Sequence, residues 1–325
     1  MPVFHLSHTC ALPLPAARPR RCGAWCWRLL GSLLLLALLP GCDPKPPVQP
    51  LRYSTAPAAT AVPTYRFAVH PLHNPLKLSE AYQPLIDRLN RELPEWRFEL
   101  EASRDYQAYE RKFRERGPDI LLPNPWQSIE AMKVGYRVIA TAGKDEDFRG
   151  IFIVRRNSGI KQVGDLKGQT VSYPSHTALA ACIMPQYYLH QRGIDINRDI
   201  RNAYVGSQES AIMSVYLGKS ALGATWPPPW RLFQADHPAE AAELEVLWET
   251  PPLINNSVMV RDDLPEGVVR KLGAVLFALA DSEEGRAILA GMSTAAFRPA
   301  DDARYRPVAE FIARFEKEVR PVEEK

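Results

Sequence analysis

Ser175, His176 and Thr177 follow Pro174 directly and stand ahead of the helix-forming run "ALAAC", and no carboxylate occurs between Asp165 and Asp195. Hydroxyl and imidazole side chains that open a helix can hold an oxyanion. The first turn of a helix leaves backbone N–H groups without acceptors and carries about half a positive charge. Hydroxyls at that end donate alongside the amides. An acid close by would repel the anion, and the local sequence has none. On spacing alone the same residues also read as a plain helix cap, with Ser175 capping and Thr177 solvated. Both readings stay open on these residues alone.

Other polar residues fall at strand ends, where open α/β sheets place ligands. They are His70 after the first strand, Tyr106 after the second, and Asn124 with Trp126 after "DILLP". Gln208 follows "YVGS", and Asn255 and Asn256 precede a returning extended segment. The set is polar, mostly neutral and without obvious counter-charges.

Motifs for covalent or phosphoryl chemistry fail. "LGKS" at 217–220 looks like the end of a phosphate loop, but Met213 occupies the position of its first glycine. No nucleophile elbow, zinc-protease helix or dinucleotide fingerprint occurs. His70 and His73 in "HPLH" lack a nearby third ligand, so no metal or cofactor is expected, and no enzyme activity.

The elements that must position these residues alternate. "YRFAVH", "WRFELEA", "DILLPN" and "YRVIATA" read as strands, separated by helices such as "LSEAYQPLIDRLNREL", whose apolar residues recur at helical spacing. A second block begins near Phe148 with "GIFIVRR" and repeats the pattern. Its helix "HTALAACIMPQYYLHQRG" contains Pro185, which predicts a kink or break there. Helices around 267–280, 283–292 and 305–319 close the chain. Strands alternating with helices predict an α/β fold with a largely parallel sheet, and two such blocks can form two lobes around a cleft, though periodicity does not give the topology.

Composition bounds the partners. The 325 residues are 46% hydrophobic and 24% charged, an ordinary globular balance. The formal charge of +3 comes from the N-terminal segment. Residues 1–41 hold Arg18, Arg20, Arg21 and Arg28 and no acid; without them 36 basic side chains face 37 acidic ones. A nucleic-acid surface is not expected from that balance. Leu29–Leu39 is an almost wholly apolar run of eleven residues, too short to span a bilayer but right for a signal core. It ends in "LLPGC", which places Cys42 where a lipoprotein signal has its lipidated cysteine. Residues 42–63 are rich in Pro and Ala and read as a tether. Cys182 is then the one cysteine left in the mature domain, and a buried apolar helix is its expected home.

The stretches "YRFAVHPLHNP", "ASRDYQAYERKF", "DILLPNPWQ", "FRGIFIVRRNSGI", "VGDLKGQTVSYPSHTA", "YVGSQESAIMSVYLGK" and "EEGRAIL" together resemble the periplasmic solute-binding proteins of phosphate, phosphite and phosphonate ABC transporters. The resemblance covers about 65–319. It implies two α/β lobes of the type II binding-protein kind, closing on ligand like a hinged trap. Lobe one would comprise 64–145 and 250–325, and lobe two 146–249. The family's hydroxyl-bearing helix start falls on Ser175, His176 and Thr177, its aromatic contact on Tyr106, and a further contact on the Asn124–Trp126 loop. Gln208 stands where the family often has a histidine. Leu222 and the pair Asn255–Asn256 stand where relatives for aminoalkylphosphonates use acids to hold an ammonium group.

The expected protein is therefore a monomeric, lipid-anchored solute-binding protein for phosphate, phosphite or a simple phosphonate, serving an ABC permease. Asp43 resembles the signal that keeps some bacterial lipoproteins at the inner membrane. The competing expectation is a binding protein that reports to a membrane sensor kinase, including for an arsenic oxyanion with Cys182 as a soft ligand.

Overall fold

The computed structural model describes residues 62–323. The expected signal segment, Cys42 and nearly all of the tether lie outside the described residues. The first half runs β1 (Thr64–Val69), α1 (Pro75–Glu92), β2 (Arg97–Glu101), α2 (Tyr106–Arg114), β3 (Ile120–Leu122), α3 (Pro125–Met132) and β4 (Tyr136–Ala142). Next come β5 (Ile151–Arg155), β6 (Thr170–Tyr173), α4 (Met184–His190), β7 (Arg201–Tyr204), α5 (Gln208–Tyr216) and β8 (Leu222–Thr225). Then follow α6 (Pro227–Asp236), α7 (Pro238–Ala242) and β9 (Leu244–Glu249). The chain returns through β10 (Ser257–Arg261), α8 (Glu266–Ala278), α9 (Glu283–Gly291), β11 (Phe297–Pro299) and α10 (Arg306–Glu318).

Two sheets form. The first has the order β11-β4-β10-β3-β1-β2 and the second β7-β6-β8-β5-β9. The sheets are mixed rather than largely parallel. β1 pairs in parallel with β2 and β3, and β6 with β7 and β8. β10 and β5 run antiparallel to their neighbours. Alternation of strands with helices foretells parallel pairs but says nothing about the strands that carry the chain between sheets, and those are the reversed ones.

Local sequence explains the elements that frame the cleft. In α1, Leu78, Tyr82, Leu85, Ile86 and Leu89 make one buried stripe. The Asn74 side chain accepts from the Lys77 amide and starts that helix. α1 packs with α8 and α9, while α2 and α10 pack on α3. β3 is buried at all three positions, as befits a central strand between two layers of helix. The far side of the second sheet has its own cluster of Ile151, Ile153, Ile212, Val215, Trp230 and Phe233.

Two chain crossings join the lobes, one after β4 and one before β10, and they are zipped together. Thr250 N donates to Gly150 O at 2.8 Å, Leu253 N to Phe148 O at 2.9 Å, and Ala142 N to Asn256 O at 2.7 Å. Gly143 has φ +87°, and a Cβ there would lie 2.9 Å from the Asn255 amide nitrogen, so glycine is required both by conformation and by close approach. Gly150 is required by packing: its Cβ would meet Ala180 O at 2.6 Å and the Pro185 ring at 2.8 Å.

The helix expected to open at Ser175 begins four residues later, at Leu179. Residues 179–183 form a wide turn in which Ile183 N reaches back to Ala178 O and Met184 N to Leu179 O. The regular helix α4 then starts at Met184. Pro185 explains the widening: it has no N–H to donate, and its ring crowds the carbonyl four residues back. A five-residue hydrogen-bond spacing relieves both.

α10 and the chain beyond it reach from the first lobe to the second. Tyr187 Oη donates to Glu318 at 2.9 Å, Asn197 Nδ2 to Val319 O at 3.3 Å, and Arg320 Nε to the Gln186 side chain at 2.9 Å.

Candidate functional site

The two sheets meet at a closed seam. Its innermost cavity is lined by His70, Tyr106, Asn124 and Asn256 from the first lobe. From the second come Phe148, residues 178–181, Gln208 and Trp226. The free volume is about 10 Å³, and an adjoining space of about 20 Å³ shares Trp226 and Asn256 as a wall. That is room for about one or two waters, so a tetrahedral anion enters only with a small parting of the lobes.

Each polar member is placed by a strand or helix end. His70 lies just past β1, where its Nδ1 meets Leu122 O at 3.0 Å. The carbonyl accepts, so Nδ1 carries the proton and Nε2 is left as an acceptor. Burial holds the His70 imidazole down at about 4, so it is neutral at physiological pH. Tyr106 opens α2 and accepts from Gln208 Nε2 at 3.3 Å, while Gln208 Oε1 accepts from the Thr225 hydroxyl at 2.8 Å. Burial pushes the Tyr106 phenol well above its usual range, which keeps it a hydroxyl donor. Asn124 caps α3 and sends its Nδ2 to Thr177 O at 3.3 Å. Asn256 is 6% exposed, and its Oδ1 has no hydrogen-bond partner among the described residues.

Residues 179–181 contribute backbone. As the first residues of the wide turn, their N–H groups have no backbone acceptor among the described residues. The donor set is therefore amides, a phenol and neutral side chains, with no Lys, Arg, Asp or Glu in the lining. Phe148 and Trp226, with ring centroids 5.6 Å apart, close one side with apolar surface. Chemically, the arrangement can hold a small anion by oriented dipoles and can discriminate through size and through an apolar contact. It offers no nucleophile.

The expected site residues divide. Tyr106, Asn124 and Gln208 line this cavity. Ser175 and Thr177 do not, and the expectation of a carboxylate-free helix start is overturned. The Thr177 hydroxyl donates to Glu110 Oε1 at 2.7 Å, and Ser175 Oγ lies 3.1 Å from Thr177 Oγ1. The acid comes from α2 in the other lobe, 67 residues away in sequence, and local spacing cannot reveal it. Gln127 Nε2 also donates to Glu110, at 3.2 Å. Burial raises the Glu110 carboxyl to about 6 against these bonds. His176 lines a separate outer basin. Trp126 is packed in the core at 2% exposure. Asn255 is consumed by the crossing: its Nδ2 donates to Lys144 O at 2.6 Å, and its Oδ1 accepts from Asn256 N. Its neighbour Asn256 holds the cavity position instead. Phe148 and Trp226 were missed as site residues; Trp226 sits at the end of "ALGATW", a strand end of the kind that picked out the others.

Two α/β sheets, two zipped crossings and a polar cavity at the seam define a two-lobed solute-binding protein. Residues 67–305 match the family described as "ABC transporter, phosphonate, periplasmic substrate-binding protein", and the chain belongs to that family. The chain is 25% identical over 193 residues to a probable ABC transporter phosphite binding protein, PhnD1, of Prochlorococcus marinus, covering 55% of this chain and 65% of the relative. The chain thus spans a little under two thirds of that curated relative. Among solved structures, a binding protein component of an ABC phosphonate transporter from Pseudomonas aeruginosa superposes with a TM-score of 0.73 at 17% identity, over 78% of this chain and 87% of that one. The Prochlorococcus marinus PhnD1 structure in complex with methylphosphonate gives 0.71 at 21% identity, over 78% and 98%. These two likenesses establish the fold.

Proposed function

We propose that this protein captures a small phosphorus oxyanion, with phosphite and methylphosphonate as the leading ligands, and delivers it to an ABC permease. The observation that carries the reading is the row of amides at 179–181, without a backbone acceptor among the described residues, in a lining that has no charged side chain. Oxygens of the anion sit on those amides and on the Tyr106 hydroxyl. The Asn256 amide and the His70 Nε2 lone pair complete the shell, and the latter accepts from a protonated oxygen. Phe148 and Trp226 face the P–H or P–CH3 group. Prochlorococcus PhnD1, described as a probable phosphite binding protein and solved in complex with methylphosphonate, supports the same ligand class. A buried dipolar site without formal charge needs little reorganisation on binding.

Ser175 and Thr177 take a different part from the one their sequence suggests. They fasten the lobes through Glu110 behind the ligand. We further propose Cys42 as the lipid attachment point, with residues 43–63 as the tether of an envelope-anchored domain. No helix among the described residues is long and apolar enough to cross a membrane.

A thermal-shift panel of phosphite, methylphosphonate, phosphate, aminoethylphosphonate, arsenate and sulfate tests the reading. A ligand at a hundred times its Kd stabilises by about 2.7 kcal/mol. Phosphite or methylphosphonate is expected to give the largest shift. A panel in which no phosphorus anion moves the transition would sink the assignment.

A further inference from the structure

Outside the inner cavity, a basin of about 680 Å³ opens along the lobe seam and shares no lining residue with it. One wall is a single face of α2, where Gln107, Glu110, Arg111 and Arg114 recur three and four residues apart. Arg320 and Glu323 of the C-terminal segment and Tyr204 at the end of β7 face it.

The charges do not cancel. Arg320 donates to the Gln186 side chain at 2.9 Å and to the carbonyls of His176, Pro321 and Val322 at 3.1, 2.8 and 3.3 Å. All of these acceptors are neutral, so the guanidinium is held rigidly with its charge uncompensated. Arg111 is exposed and makes no side-chain hydrogen bond or ion pair among the described residues. Arg114 pairs with Glu323 and lies 3.9 Å from Glu110. Glu110 is 3% exposed, and its bonds to Thr177 and Gln127 turn it inward. Three guanidinium groups therefore face one exposed carboxylate, Glu323, in the segment beyond α10. Guanidinium forks suit phosphoryl oxygens in pairs. The volume lies in the range of organic-ligand pockets, roughly 300–1,000 Å³, far above the needs of one tetrahedral ion.

We propose that this basin is a second anion site, for a polyanion of the di- or triphosphate class, bridging Arg111 and Arg114 of the first lobe to Arg320. Arg320 is fastened to the second lobe through Gln186 and His176. A polyanion spanning the three arginines ties the first lobe to the second.

Calorimetric titration of the purified protein with tripolyphosphate tests this. One saturable site is expected. Arg111→Gln should weaken it about tenfold, the worth of one charge-assisted contact, and Arg111→Glu should abolish it. Because Arg111 makes no side-chain bond, neither change should lower the melting temperature. Tyr106→Phe, in the inner cavity, should leave tripolyphosphate affinity unchanged. Lack of saturable binding, unchanged affinity in both Arg111 variants, or loss in Tyr106→Phe would each overturn the proposal. The result is independent of whether the inner cavity takes phosphite.

Discussion

The Thr177 hydroxyl of the second lobe donates to the Glu110 carboxyl of the first at 2.7 Å, with both side chains buried. This bond turns a stretch that looks like a ligand-binding helix start into a fastening between lobes. Of this stretch, it leaves residues 178–181 to line the inner cavity.

Thr177→Val removes the donor and leaves a buried carboxyl one partner short. The expected cost is about 1–3 kcal/mol in urea unfolding. Thr177→Ser, which keeps the hydroxyl, should recover most of it. A loss in Thr177→Ser with none in Thr177→Val would mean that packing of the methyl group, not the bond, matters at this position.

Glu110 gives stability a signed dependence on pH. Its carboxyl is raised to about 6 by burial. The neutral form is therefore favoured in the folded state, and that contribution is full below about 4.5 and lost as pH rises through 6. At pH 7.5 the ionised group costs on the order of 2 kcal/mol. Glu110→Gln should raise stability by about 1–2 kcal/mol at pH 7.5 and change little at pH 4.5. A variant that is destabilised equally at both pH values would contradict this.

His70 works in the opposite direction. Its imidazole is held down at about 4 by burial, and His73 is lowered to the same value. As pH falls below 6.5 the unfolded chain takes protons that the folded one refuses. Stability is lost between about 6.5 and 4, by on the order of 3 kcal/mol for His70. This loss exceeds the gain from Glu110, so acid weakens the fold in that window. NMR titration of the ring should find His70 neutral at pH 5; a protonated ring there would contradict the buried-acceptor role.

Much of this was legible in the sequence, and the rest was not for identifiable reasons. Periodicity located α1, α2 and β3, because each buries a stripe or a whole strand. The strand-end rule picked out His70, Tyr106, Asn124 with Trp126, Gln208 and the pair Asn255–Asn256; all but Trp126, which packs in the core, and Asn255 line the cavity. It could not separate Asn255 from Asn256, because adjacent residues on an extended chain face opposite ways and only the crossing decides which looks inward. It could not place the helix start either, because the effect of Pro185 reaches six residues upstream, to Leu179. Glu110 was invisible from the 175–177 side, as a contact between lobes leaves no local spacing.

The account rests on the amides at 179–181 and the neutral ring opposite them. Titration calorimetry with phosphite and with methylphosphonate, on the wild type and on the double variant Tyr106→Phe with Asn256→Ala, tests it most directly. The account predicts one site per chain in the wild type and a loss of about a hundredfold in the double variant, near 1.4 kcal/mol for each lost contact. Binding to the double variant at wild-type affinity, or no binding of either anion to the wild type, would contradict it.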